Sequence, residues 1–112
     1  MDESKVDLNY IDFEKVVFGL EHILSRMELG KQKQIIFEYV PELPYVHISF
    51  RIPDNNGRMM EETWGDINRE SCERFILFIG KKFVETFEIG VRQRVIVDYD
   101  PQNHRASVRC IK

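Results

Sequence analysis

The spacing of apolar residues switches twice along this chain from a helical period to strict alternation, so the sequence runs two times through the same plan, a helix followed by a β-hairpin. Between Asn9 and Leu29, the residues Phe13, Val17, Leu20, Leu24 and Met27 recur at helical spacing, and Tyr10, Val16 and Ile23 widen the stripe. Asn9 or Asp7 suits the start of that helix and Gly30 its end. The run Gln34–Val40 is rich in β-branched and aromatic residues and is broken by Pro41-Glu42-Leu43-Pro44, which predicts a strand. A second strand follows, because Val46, Ile48, Phe50 and Ile52 alternate with Tyr45, His47, Ser49 and Arg51, and Pro53–Gly57 is a turn. Residues 58–64 alternate only weakly and read as a third strand or a loop.

Gly65 and the stretch Asp66–Asn68 open a second helix, whose stripe is Cys72, Phe75, Ile76, Ile79, Phe83 and Phe87. Gly80 within it costs about 1 kcal/mol relative to alanine and fits a close approach of helix to sheet. After Gly90, the residues Val91, Gln93, Val95, Val97 and Tyr99 alternate with Arg92, Arg94, Ile96 and Asp98. Asp100–His104 is a turn, and Ala106, Val108 and Cys110 then face inward, opposite Arg105, Ser107 and Arg109. Short connections predict antiparallel neighbours. The expected fold is therefore one α+β domain over residues 1–112, with 1–7 frayed. Its order is α-β-β-β-α-β-β, with four or five antiparallel strands and two helices on one face. At 112 residues the chain buries roughly 65% of its unfolded surface, enough for one core.

The net charge of −3 is unevenly spread. Residues 1–56 hold six Lys/Arg against ten Asp/Glu, whereas residues 57–112 hold ten against nine. A mildly acidic chain repels nucleic acid as a whole. The charged start Met1–Lys5 leads into no apolar run of signal-peptide length, and no stretch approaches a membrane span, which reads as a cytoplasmic protein. Cys72 and Cys110 lack a second cysteine at metal or redox spacing, and they read as buried free thiols.

No arrangement that catalysis requires is present in the sequence. His22, His47 and His104 fall on a helix, a strand and a turn with no reason to converge, and the glycines form no phosphate loop. Neither a cofactor nor a metal is expected, and the chain reads as a non-enzyme. Paired acids, Glu61 and Glu62 ahead of Trp64 and Asp66, and Asp98 and Asp100 around Tyr99, are the remaining enzymatic hint. Neighbours on a strand point to opposite faces, however, so Glu61 and Glu62 cannot both serve one site without a bend.

Two surface features stand out. Arg92, Arg94, Arg105 and Arg109 fall on the outer side of the last hairpin, where opposed like charges repel unless an anion lies between them. That face reads as an anion, nucleotide or acidic-protein site, or as a wet face balanced by Asp98. Trp64, set among Met59, Met60, Glu61, Glu62 and Asp66, reads as a protein-contact patch or as the plug of one end of the core. Together these predict a cytosolic protein-binding domain, such as an immunity or antitoxin-type inhibitor of a bacterial toxin. The alternatives are a homo-oligomeric structural or chaperone-like subunit, a homodimer among its forms, and an anion- or nucleotide-binding domain.

Overall fold

The strand that organises the molecule is the apolar run after the first helix, because it pairs on one side with the strand that follows it directly and on the other with a strand from near the far end of the chain. The computed structural model describes residues 3–8, 10–24, 32–79 and 87–112. Its elements are β1 (Glu3–Leu8), α1 (Tyr10–Ile23), β2 (Lys33–Tyr39), β3 (Tyr45–Pro53), β4 (Met59–Asn68), α2 (Arg69–Ile79), β5 (Gln93–Asp100) and β6 (Arg105–Ile111). They build one antiparallel sheet in the order β1-β6-β5-β2-β3-β4.

Alternation fixes which face is dry. Ile35, Phe37 and Tyr39 of β2, Val46, Ile48 and Phe50 of β3, and Val95, Val97 and Tyr99 of β5 all point to one side. Ala106, Val108 and Cys110 of β6 join them there. Both helices cover that side, with Val16, Leu20 and Leu24 from α1 and Cys72, Phe75, Ile76 and Ile79 from α2. The α+β class and the order α-β-β-β-α-β-β are thus as read from the sequence, and one more strand stands in front of them.

That strand corrects the expectation of a frayed start. Glu3–Leu8 pairs with β6 from Glu3 opposite Ile111 to Leu8 opposite Ala106. Its partner lies at the far end of the chain, so nothing local announces it. Residues 59–64 form the first part of β4, which continues to Asn68, Arg58 preceding it, and α2 begins only at Arg69. Asn68 is its cap, since Asn68 Oδ1 accepts the Glu70 N–H at 2.8 Å. Val91 and Arg92 lie ahead of β5 rather than in it. Asp7, Tyr10, Phe13 and Ile23, as side chains, and Asn9, Met27, Gly30, Gly80 and Phe83 lie outside the described residues.

Two corners are tied by side chains. Asp54 Oδ1 accepts the Asn56 and Arg58 N–H groups at 2.8 and 2.9 Å, and Gly57, with φ of 78°, completes the β3–β4 turn. At the other end of β4, Arg69 Nη1 donates to Pro41 O at 2.5 Å while its own N–H donates to Pro44 O at 3.0 Å, so the β2–β3 loop is clamped to the start of α2.

The two helices approach closely at Gly19 of α1, where a Cβ would lie 2.4 Å from Phe75 Cδ1 of α2. Phe75 is buried and stacks on Phe37 with ring centroids 6.0 Å apart, so an added methyl displaces a packed ring. Gly19→Ala should gain about 1 kcal/mol of helix propensity and lose more to overpacking, a net destabilisation of about 1–2 kcal/mol. Urea denaturation measures it, and a stabilised variant would show that Phe75 repacks freely.

Candidate functional site

The helix-free face carries the arginines, and the register decides what they do. Arg94, Arg105 and Arg109 lie on this face, while Arg92 is exposed ahead of β5. Arg94 is opposite Ile111, Arg109 opposite Ile96, and Arg105 opposite Asp100, so no two of them are opposed. Each meets a carboxylate instead. Arg94 Nε is 2.7 Å from Glu38 Oε1, and Arg109 Nε is 3.5 Å from Asp98 Oδ2. Asn103, whose amide donates to Asp100 Oδ2 at 2.7 Å, holds the Asp100 carboxyl below the usual carboxylate range, and the Arg105 charge adds to that. Opposition of arginine to arginine, which suggested an anion site, is therefore not formed across β5 and β6, although Lys5 of β1 stands opposite Arg109 on the other side of β6.

Asp98 is the hub of this face. Its Oδ1 accepts from Gln34 Nε2 at 2.7 Å, and its Oδ2 is 3.5 Å from both Ser107 Oγ and Arg109 Nε. Ile36 and Ile96 pair in register at the centre and are buried, although no helix covers them. A cleft of about 750 Å³ opens beside this network, lined by Gln34, Pro53, Met59, Asp98, Arg105 and Ser107. Its two carboxylates, Asp98 and Asp100, already hold partners, which leaves an aqueous concavity whose polar groups serve the sheet.

The acidic residues gather elsewhere, on the edge strand β4. The register runs unbroken from Met59 opposite Pro53 to Thr63 opposite Ser49, and then shifts, so that Gly65 faces Ile48 and Trp64 is the extra residue of a bulge. Gly65 takes a φ of 146°, which its missing side chain permits. Before the bulge Glu61 lies opposite Arg51 on the helix-free side, accepting from Ser49 Oγ at 3.4 Å, and Glu62 lies opposite Phe50 on the helix side. Both are exposed, and they face apart as the strand geometry demands. Beyond the bulge Asp66 pairs with His47, Oδ1 to Nδ1 at 3.0 Å. Trp64 is half-buried and packs against the core. The exposed apolar surface of this strand belongs instead to Met59 and Met60, at 48% and 53%.

The whole net charge of the molecule resides here. Residues 41–75, which hold β3, β4 and the start of α2, carry seven acids against four Lys/Arg, and the remaining residues balance at twelve of each.

One apolar feature escapes the sequence reading. Phe18 on α1 is 62% exposed and Phe78 on α2 is 46% exposed, with ring centroids 5.4 Å apart over a cleft of about 350 Å³ floored by Gly19 and Phe75. The available signal is that both fall off the apolar stripes of their own helices.

For reactive chemistry the arrangement offers little. Among the described residues no three His, Cys, Asp or Glu side chains are placed to hold a metal ion. Burial first, and then the Glu73 charge, push the Cys72 thiol up to about 12, so it stays protonated and inert near neutrality. No described helix is long and apolar enough to cross a membrane. No family model matches the chain, and comparison with curated proteins and with solved structures finds none similar to it.

Proposed function

We propose that this chain is a non-enzymatic protein-binding domain of the inhibitor type, comparable in role to an immunity or antitoxin-type protein that covers a bacterial toxin domain, and that its partner is basic. The observation that carries this reading is the segregation of charge. Arg94, Arg105 and Arg109 are balanced within the sheet by Glu38, Asp100 and Asp98, whereas Glu61, Glu62 and Asp66 of β4 and Glu70 at the start of α2 are left exposed. Such a patch raises the rate of encounter with a basic surface and repels acidic ones. Exposed Met59 and Met60 add adaptable apolar contact within it. The inert Cys72 thiol and the saturated carboxylates of the cleft support a role exerted through the surface.

Retrieval of the tagged protein from its native cells at low ionic strength should bring down a basic protein in stoichiometric amount, and raising the salt to about 1 M, where the Debye length is only ~3 Å, should release it. Recovery of the chain alone at low salt defeats the reading.

A further inference from the structure

The sheet has one fully described edge, and its chemistry narrows how a partner would be held. We propose that the partner is taken as an added strand: an extended segment bearing lysine or arginine pairs with the free backbone edge of β4 over Met59–Thr63. This rests on the protein-binding reading above and specifies its mode.

Three observations carry it. First, among the described residues β4 has β3 as its single strand neighbour, and an antiparallel pair uses the N–H and C=O groups of every second residue. Over Met59–Thr63 the other half point away from the sheet, and all five side chains are exposed. Edges of this kind are commonly closed to newcomers by charged side chains, lysine above all, or by proline, a bulge or a covering element, and the charges here are two acids, which admit a basic strand and repel an acidic one. The bulge of β4 comes after these five residues, at Trp64, and neither lysine nor proline interrupts them.

Second, the strand presents a carboxylate on each side of the sheet, Glu61 on the helix-free face and Glu62 on the helix face. An incoming strand alternates in the same way, so successive cationic residues on it would each find an acid at cross-strand distance, where opposite charges stabilise and like charges do not. Met59 and Met60 flank the acids and supply deformable apolar contact on the two faces.

Third, charge disfavours a second copy as the occupant. The symmetric antiparallel register that uses all of Met59–Thr63 sets Glu61 against Glu61 of the other copy, carboxylate to carboxylate. The edge is built to refuse itself and to accept a basic strand.

The test uses the intact protein and a short capped synthetic peptide with two successive lysines flanked on each side by valine and threonine, so that one lysine faces each side of the sheet. Nuclear magnetic resonance titration should show shifts concentrated in Met59–Thr63, and the amides there that face outward should exchange with solvent at least about tenfold more slowly when the peptide is bound. The same peptide N-methylated at every residue of its central stretch, with its charge intact and both hydrogen-bonding edges blocked, should fail to bind. The double variant Glu61→Gln and Glu62→Lys should bind the unmodified peptide about tenfold more weakly. Equal binding of the N-methylated peptide, shifts centred on the helix-free cleft or on Phe18 and Phe78, or self-association through β4 in the absence of peptide would each overturn the proposal. The two readings part in the retrieval experiment. A basic partner held equally well by the double variant removes the added strand and leaves protein binding standing, whereas retrieval of no partner removes both.

Discussion

Asp98→Ala should lower the folding free energy by about 2–3 kcal/mol and at the same time create an anion site that the native protein lacks. The carboxylate receives Gln34 Nε2 at 2.7 Å and lies 3.5 Å from Ser107 Oγ and from Arg109 Nε. Its loss takes a carboxylate away from three polar groups, one of them a guanidinium. Removing one member of a fully buried pair costs about 3–5 kcal/mol, and here the figure falls because the Asp98 side chain is 36% exposed and water from the neighbouring cleft reaches the gap. By contrast Glu38→Ala breaks the more exposed pair with Arg94 and should cost less than about 1 kcal/mol. With Asp98 gone, the Arg109 guanidinium has one carboxylate fewer beside it, and phosphate should raise the melting temperature of the variant more than that of the native protein. Should phosphate stabilise the native protein equally, the arginine face is an anion site after all and the account of internal neutralisation fails.

This contrast shows why the face was only half legible in the sequence. Composition and alternation place Arg94, Arg105 and Arg109 on one side of the sheet, and they do lie there. What the arginines meet is a matter of register across strands. Glu38, which holds Arg94, sits 56 residues away on β2. A one-residue change in pairing would have produced a different set of contacts, and no local pattern in a single sequence fixes that.

The same distinction separates the elements that could be read from those that could not. The strands with one dry face, β3 through Val46, Ile48 and Phe50 and β6 through Ala106, Val108 and Cys110, announce themselves by period. Strand β4 blurs its own signal, because the extra residue Trp64 moves later side chains onto the opposite phase: Glu62 and Met60 share the helix side with Ile67, an odd spacing that defeats a search for alternation. Strand β1 fails for another reason. Glu-Ser-Lys-Val-Asp-Leu has little apolar content, and its place is secured by pairing with β6, about a hundred residues distant along the chain. The acidic edge was legible as residues, Glu61, Glu62 and Asp66, yet its meaning depends on topology: the order β1-β6-β5-β2-β3-β4 puts the strand at the rim, where its backbone is available.

Alkaline pH should unfold this protein earlier than its surface charges alone would suggest, with Cys72 contributing about 4 kcal/mol of the loss. Burial is the main cause of the raised Cys72 value, and the adjacent Glu73 charge adds to it, moving the thiol from 9.0 to about 12. Because the folded state binds this proton more tightly than the unfolded chain, the contribution is fully present below about pH 9 and is lost as pH rises from about 9 to 12, at about 1.4 kcal/mol per unit. Tyr39 and Tyr99, both raised from 10.0 chiefly by burial, shift in the same direction and steepen the loss above about pH 10. Tyr39 adds a structural consequence, since its hydroxyl donates to Glu73 Oε2 at 2.8 Å and accepts the Gly90 N–H at 3.0 Å. Urea denaturation at a series of pH values isolates the thiol through Cys72→Val, which keeps nearly the same volume and removes the proton. The variant should match the native protein near pH 7 to within about 1.5 kcal/mol and overtake it as pH approaches 11. Parallel pH dependence in the two proteins would mean that the Cys72 thiol is solvated in the native state, and the case for an inert interior beneath a binding surface would lose its chemical support.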